Sequence, residues 1–213
     1  MPPERTDVIA LYQRHAAAYD AMRSRSLFER AWLGRFLELA ATCQTGAGPL
    51  AILDLGCGAG EPIARHLIDR GCAVTGVDAA APMIERCRQR FPAHTWLVAD
   101  MRDLTPDALD RRRFAGILAW DSLFHLSRDD QRRVLVRLRD FAAPGAALLF
   151  TSGSEDGEAV GELCGEPLYH ASLATEDYRR RLDAAGFTPR AHVITDPSCG
   201  EHTVWLAQRR AED

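Results

Sequence analysis

From residue 50 onward, short apolar runs alternate with amphipathic stretches, the pattern expected of β-α-β units built around a mainly parallel sheet. The runs cover residues 50–55, 73–77, 95–99, 114–119 and 146–151. Helical spacing between them predicts helices over 61–69, closed by Gly71, over 82–90, and over 128–141 with Ser127 as N-cap and Asp129 and Asp130 in the first turn. Pro144-Gly145 reads as the turn into the fifth strand. Past Gly153 the chain becomes glycine- and acid-rich through Pro167. Such a stretch is too long and too polar for a simple connector and predicts a functional loop over 152–171. A final helix over 175–185 ends at Gly186, and two strand-like runs, 190–195 and 203–207, flank Asp196-Pro-Ser-Cys-Gly200 as an antiparallel hairpin. Ahead of the sheet, residues 7–22 and 27–41 carry apolar positions at helical spacing and are expected to form a two-helix cap within residues 1–46.

Composition narrows the class. A chain of 213 residues suits one domain whose core is buried without metals or disulfides. The 46% hydrophobic and 26% charged fractions are those of a globular protein. No apolar run reaches the ~18 residues of a membrane span, and the opening MPPERTDVIALY lacks the basic-then-apolar pattern of a signal peptide. A cytoplasmic location is therefore expected. The net charge of -4 offers no broad basic field, so nucleic acid is disfavoured as a partner. Cys43, Cys57, Cys72, Cys87, Cys164 and Cys199 form no C-x-x-C pair and have no histidine at zinc spacing, which predicts free thiols and no metal site.

The densest chemistry sits at Ile52-Leu-Asp-Leu-Gly-Cys-Gly-Ala-Gly60, an apolar strand running into a glycine turn that opens a helix. Glycines there permit positive φ and let a ligand approach the backbone. Their spacing is G-x-G-x-G, whereas a dinucleotide fingerprint needs G-x-G-x-x-G to seat a pyrophosphate on the helix N-terminus. Glu61 at the expected helix start repels a pyrophosphate but tolerates a ligand carrying a sulfonium and an ammonium group. Asp78 ends the second strand, where a carboxylate can accept hydrogen bonds from both ribose hydroxyls, a feature that suits NAD equally well. Asp100-Met101 ends the third, placing a carboxylate for the amino group of an adenine and an apolar cover for its ring.

These residues resemble the motifs of the class I S-adenosylmethionine-dependent methyltransferases of small-molecule type, and the likeness covers nearly the whole chain. The resemblance implies a doubly wound α/β fold with a seven-stranded Rossmann-like sheet in the order 3-2-1-4-5-7-6, the last strand antiparallel. It places Asp54, Gly56, Cys57 and Gly58 around the methionine part of the cofactor, Asp78 on the ribose, and Asp100 with Met101 at the adenine. Ala79, Met83, Ala119 and Trp120 complete the cofactor set along the sheet, and Tyr19 and Arg23 are expected to close over it from the cap. The implied layout is a single domain over 1–213, with a cofactor-binding half at 50–151, an active-site loop at 152–171 and a terminal helix and hairpin at 172–213. The implied reaction moves a methyl group from S-adenosyl-L-methionine to an oxygen or nitrogen of a small molecule by in-line displacement. Two rivals stay open: an NAD(P)-dependent oxidoreductase, disfavoured by the glycine spacing and Glu61, and a cofactor-binding protein without catalysis.

The fourth strand leads into Ala119-Trp-Asp-Ser-Leu-Phe-His-Leu126, at the carboxyl edge where ligands of such sheets bind. This segment lacks the D/N-P-P-Y motif of enzymes that methylate adenine or glutamine nitrogen, so the resemblance points to a small metabolite. His125 is the leading candidate for a general base; the alternative is a structural histidine near the adenine or under the cap. Asp121 is placed to orient an acceptor amine, or else to begin the short turn around Leu123. Tyr169, the third catalytic candidate, and His170 are expected pocket walls. Glu155, Asp156, Glu158, Glu162 and Glu166 read as a solvated loop surface, and His202 as solvent-facing. Tyr12 shares a helical face with His15 and Tyr19 and reads as a packing position.

Overall fold

The computed structural model describes residues 5–43 and 46–211, with side chains described from Val8 onward. Residues 1–4, 44–45 and 212–213 of the expected cap and terminal segments lie outside the described residues. Among the described residues nine strands form, in chain order β1 (Ala51–Leu55), β2 (Ala73–Asp78), β3 (Thr95–Val98), β4 (Phe114–Ala119), β5 (Ala142–Ser152), β6 (Gly157–Leu163), β7 (Glu166–Ser172), β8 (Phe187–Asp196) and β9 (His202–Arg209). The helices are α1 (Arg5–Met22), α2 (Arg30–Ala41), α3 (Ile63–Asp69), α4 (Ala81–Arg90), α5 (Arg128–Arg137) and α6 (Thr175–Ala184).

Seven strands make the main sheet in the order β3-β2-β1-β4-β5-β9-β8. The first five are parallel, and β9 runs antiparallel to both β5 and β8. Counted within that sheet alone, the order is the expected 3-2-1-4-5-7-6 with its last strand antiparallel. Period-two alternation feeds two cores: Ile52 packs with Trp32, Phe36, Leu67 and Ile84, while Leu53 packs with Leu135, Tyr178 and Phe187 on the other face. Both faces are covered by helices, which is why the central strands read as continuous apolar runs. No described helix is long and apolar enough to cross a membrane.

Three expectations are corrected. The second helix does not join the first as a cap: α2 buries Trp32, Leu33, Phe36 and Ala40 against the sheet. Gly116 makes this possible, because a Cβ there would collide with the Phe36 ring. The stretch expected as a loop is a hairpin, β6 paired antiparallel with β7. Its two-residue turn, Cys164-Gly165, has φ of 52° and 83°, the doubly left-handed geometry that suits the twist of a tight hairpin. Pro144-Gly145 lies inside β5 as an irregularity, pairing breaking off after Phe114 with Ala142 and resuming at Gly116 with Ala147. Ser127 caps α5 as expected, accepting from the Asp130 amide at 3.2 Å.

Candidate active site

A cleft of about 830 Å³, open to solvent, lies at the carboxyl ends of β1, β2, β3 and β4, with α1 along one side. Gly56, Gly58, Asp78, Ala79, Met83, Asp100 and Met101 line it together with Tyr12, Tyr19, Asp121 and His125. A smaller recess adjoins it, sharing Tyr19, Gly56, Gly58 and Asp121 and adding Arg23, Asp54, Cys57 and Trp120. Of the residues expected at the site, Ala119, Tyr169 and His170 line neither: Ala119 is fully buried in the sheet, the Tyr169 ring packs with Val8, Leu11 and Leu163, and His170 borders a separate pocket with Phe124 and Gly153.

The glycine turn shapes the floor. Gly56 (φ 74°) leaves no room for a Cβ, which would collide with that of Ser122. Gly58 (φ 53°) faces open space, with no atom within 4 Å of where a Cβ would stand. That is a cradle left for a ligand rather than a packing constraint. Asp78 latches this turn: its Oδ2 accepts from the Gly58 amide at 2.9 Å and its Oδ1 from the Ala80 amide at 2.8 Å. Burial still raises its carboxyl above the ordinary range, outweighing those two hydrogen bonds. Asp54, buried on β1, is pushed up to about 7, by burial first and by the nearby Asp78 charge second. A negative charge so poorly compensated is relieved by a cationic group in the recess, and an amino-acid ammonium has the required chemistry. The residues present therefore fit a ligand with a nucleoside at one end and a zwitterionic amino acid at the other.

Asp100 is already engaged. The Arg102 guanidinium and amide bind its carboxylate, the amide at 2.8 Å and Nε at 2.9 and 3.0 Å. Burial by itself would raise this carboxyl, but the Arg102 hydrogen bonds hold it below the usual range. The expected contact to an adenine amino group thus has to share Asp100 with Arg102, which the sequence reading missed.

His125 sits between two partners. Its Nδ1 lies 3.1 Å from the Tyr169 carbonyl, which only accepts, so Nδ1 carries the proton. Its Nε2 is then the acceptor for the Tyr12 hydroxyl at 3.0 Å. Burial pushes the imidazole down to about 4, with the His170 charge adding to the effect and the Tyr169 carbonyl opposing it. His125 is therefore a neutral ring with its basic nitrogen committed to Tyr12 and its other nitrogen held by the Tyr169 backbone carbonyl.

Asp121, in a left-handed conformation (φ 49°), stands where cleft and recess meet. Its Oδ2 faces Arg23 Nη1 at 3.4 Å, and its Oδ1 accepts from His202 Nε2 at 2.9 Å. His202 does not face solvent as expected: its ring lies 5.5 Å from those of both Phe28 and Trp120. Tyr12 likewise is more than a packing position, since it lines the cleft and holds His125. A signal for Tyr12 existed in its placement one helical face with Tyr19; none existed for Arg102 or His202, whose partners are set by tertiary structure.

A sheet of this order, whose first strand runs into a glycine turn and whose next two end in carboxylates over one cleft, defines the class I methyltransferase fold. Residues 52–145 match the family model described as a methyltransferase domain. The chain is 34% identical over 152 residues to malonyl-[acyl-carrier protein] O-methyltransferase of Salmonella typhimurium, an alignment covering 71% of this chain and 54% of that protein. The chain thus spans about half the length of that relative. In structure it resembles the magnesium protoporphyrin IX methyltransferase of Synechocystis, solved with S-adenosylmethionine (TM-score 0.66, 16% identity, 98% of each chain). It also resembles the 1,6-didemethyltoxoflavin N1-methyltransferase of Burkholderia thailandensis, solved with its acceptor and S-adenosylhomocysteine (TM-score 0.66, 22% identity, 97% of this chain and 87% of that one). Residues 52–145 are thus similar to a methyltransferase domain, and the fold of the chain is that of solved S-adenosylmethionine-dependent methyltransferases.

Proposed function

We propose that this protein transfers a methyl group from S-adenosyl-L-methionine to an oxygen or nitrogen of a small-molecule acceptor, acting as one cytoplasmic domain over residues 1–213. The observation that carries this reading is the convergence of Gly58, Asp78 and Asp100 on the same cleft as Tyr12, Asp121 and His125. When bound, the cofactor supplies a methyl group already activated by its sulfonium, so the protein's part is to position the reactants and exclude water. Asp54 and the recess around Arg23 and Trp120 would hold the amino-acid end. Asp78, with Ala79 and Met83, would hold the ribose, while Asp100 and Met101 would hold the base. Tyr19 stands at the junction of cleft and recess, placed to close over the ligand from α1. Asp121 and the Tyr12–His125 pair would face the acceptor.

Calorimetric titration with S-adenosylmethionine, S-adenosylhomocysteine and NADH tests the cofactor. Binding of the sulfonium ligand and its product is expected; tight NADH binding with neither of them would establish the oxidoreductase instead. Transfer of labelled methyl groups into a metabolite extract tests catalysis, and its absence alongside tight cofactor binding would mark a non-catalytic binding protein.

A further inference from the structure

The acceptor end of the cleft is rich in lone pairs and poor in protons. The Tyr12 hydroxyl donates to His125 Nε2, because His125 uses its one ring proton on the Tyr169 carbonyl. The Ser122 hydroxyl donates to the Leu55 carbonyl at 2.7 Å. The Ser127 hydroxyl donates to Asp130 Oδ2 at 2.9 Å. The fourth hydroxyl of the cleft, Tyr19, stands where the cleft meets the recess, its ring 5.2 Å from that of Tyr12. Asp121 brings a carboxylate, and its amide proton goes to Thr151 Oγ1 at 2.8 Å. The cation on the cleft wall, Arg102, has its guanidinium committed to Asp100. Ser127 also accepts from the Asp130 amide, so two hydroxyls, Tyr12 and Ser122, and the Asp121 carboxylate are left to offer acceptor oxygens to the cavity.

Hydrogen-bond inventory decides between acceptor classes, because an unmatched polar group in a partly dry site costs its full desolvation. A carboxylate acceptor brings only lone pairs and would meet lone pairs. A hydroxyl acceptor offers one proton but must lose it as it attacks, and the neighbouring base nitrogen, His125 Nε2, is occupied by Tyr12. A neutral amine brings N–H donors that match the wall and keeps a lone pair free for attack without prior deprotonation. The charges around Asp121 favour a neutral partner too, since Arg23 and His202 already face its carboxylate.

Resting on the methyltransferase reading above, we propose that the acceptor is a small primary or secondary amine, whose one or two N–H groups donate to oxygens among Tyr12, Ser122 and Asp121. Its nitrogen lone pair forms the new bond to the methyl carbon, and the sulfur–carbon bond breaks with its electron pair remaining on sulfur. The products are S-adenosylhomocysteine and a methylated ammonium, whose surplus proton passes to Asp121 or to solvent.

Two measurements test this. In the first, protein saturated with S-adenosylhomocysteine is titrated with aniline and with benzoate, two probes of equal ring size. Aniline is expected to bind about tenfold more tightly than benzoate, and Tyr12→Phe is expected to narrow that preference several-fold. Equal or tighter benzoate binding, or no aniline binding, overturns the proposal while leaving the cofactor assignment intact. Failure of S-adenosylhomocysteine itself to bind would instead overturn the methyltransferase reading, and this proposal with it. In the second, label transferred from S-adenosylmethionine into a metabolite extract is sorted by chemistry. Base-stable N-methyl products are expected; label released as methanol by mild base, or found in methyl ethers, shows an oxygen acceptor and sinks the proposal.

Discussion

His202 donates through both ring nitrogens, Nδ1 to the Cys199 carbonyl at 2.7 Å and Nε2 to Asp121 at 2.9 Å, and a ring with two acceptor partners is satisfied only as an imidazolium. The Asp121 hydrogen bond is the chief cause of its raised pKa, and burial opposes it. A raised folded-state pKa means the pair's stabilisation is complete below the ordinary value of 6.5 and is lost as pH rises through the higher folded value. His202→Gln is therefore expected to cost about 1–2 kcal/mol in denaturant unfolding near pH 6, with the cost shrinking toward alkaline pH. A deficit independent of pH would show that packing between Phe28 and Trp120, not charge, is what matters. Asp78 makes a second residue-scale prediction. Replacing it with alanine removes the latch on the Gly58 and Ala80 amides as well as the proposed ribose contact. Affinity for S-adenosylhomocysteine should fall at least about tenfold by calorimetry, and wild-type affinity would count against the assignment. Asp78 was legible in the sequence because it ends an apolar run beside a glycine turn. His202 was not, because Asp121, Phe28 and Trp120 reach it only through the fold.

Helix α1 bounds the cleft and is held there by polar contacts at its middle and near its C-terminus. At its middle, Glu166 on β7 accepts from Arg14 and His15, each at 2.5 Å. Near its C-terminus, Asp20 pairs with Arg90, the last residue of α4, 70 positions away. The Arg90 hydrogen bond is the main reason the Asp20 carboxyl is held down to about 2, with Arg25 assisting and burial opposing. A depressed carboxyl contributes fully above the ordinary value of 3.8 and loses its contribution as pH falls toward 2. Asp20→Asn should accordingly weaken the docking of α1 by about 1–3 kcal/mol at neutral pH, read as faster amide exchange along α1. The difference from wild type should close as pH approaches 2; a gap that persists there would mean the pair is not its source. Apolar spacing predicted α1 and α2 alike as cap helices. Only contacts across the sheet separate them, with α1 over the cleft and α2 in the core beneath Gly116. The β6–β7 hairpin was missed for a related reason. Most of β6 is exposed, so its side chains give no apolar alternation to read.

At the scale of the whole molecule, the sheet carries the two large cores and the cleft is bounded on one side by parts that do not belong to them. The sheet packs into two apolar clusters, whereas α1 and the β6–β7 hairpin share a smaller one of their own around Val8, Leu11, Leu168 and Tyr169. The sheet's strand runs were readable from periodicity, because burial on both faces leaves a continuous apolar signature; their order came only with the family resemblance, since periodicity carries no information about neighbours. That α1 caps the cleft was expected from its apolar spacing and the resemblance; the charged contacts that hold it, Asp20 to Arg90 and Arg14 and His15 to Glu166, were not readable, because the partners are distant in sequence. This division has a consequence for binding. A ligand that touches both the sheet edge and α1 stabilises the closed arrangement by mass action, about 2.7 kcal/mol at a concentration one hundred times its Kd. For a chain of this size that corresponds to a rise in Tm of about 5–11 °C. S-adenosylhomocysteine is expected to produce such a rise in wild type and a much smaller one in Asp78→Ala at the same concentration. Protection from amide exchange should increase along α1 more than along β4 or β5, which are buried with or without ligand. A Tm shift with no added protection in α1 would place the ligand on the sheet edge alone, and Tyr12 and Tyr19 would then have no part in holding it.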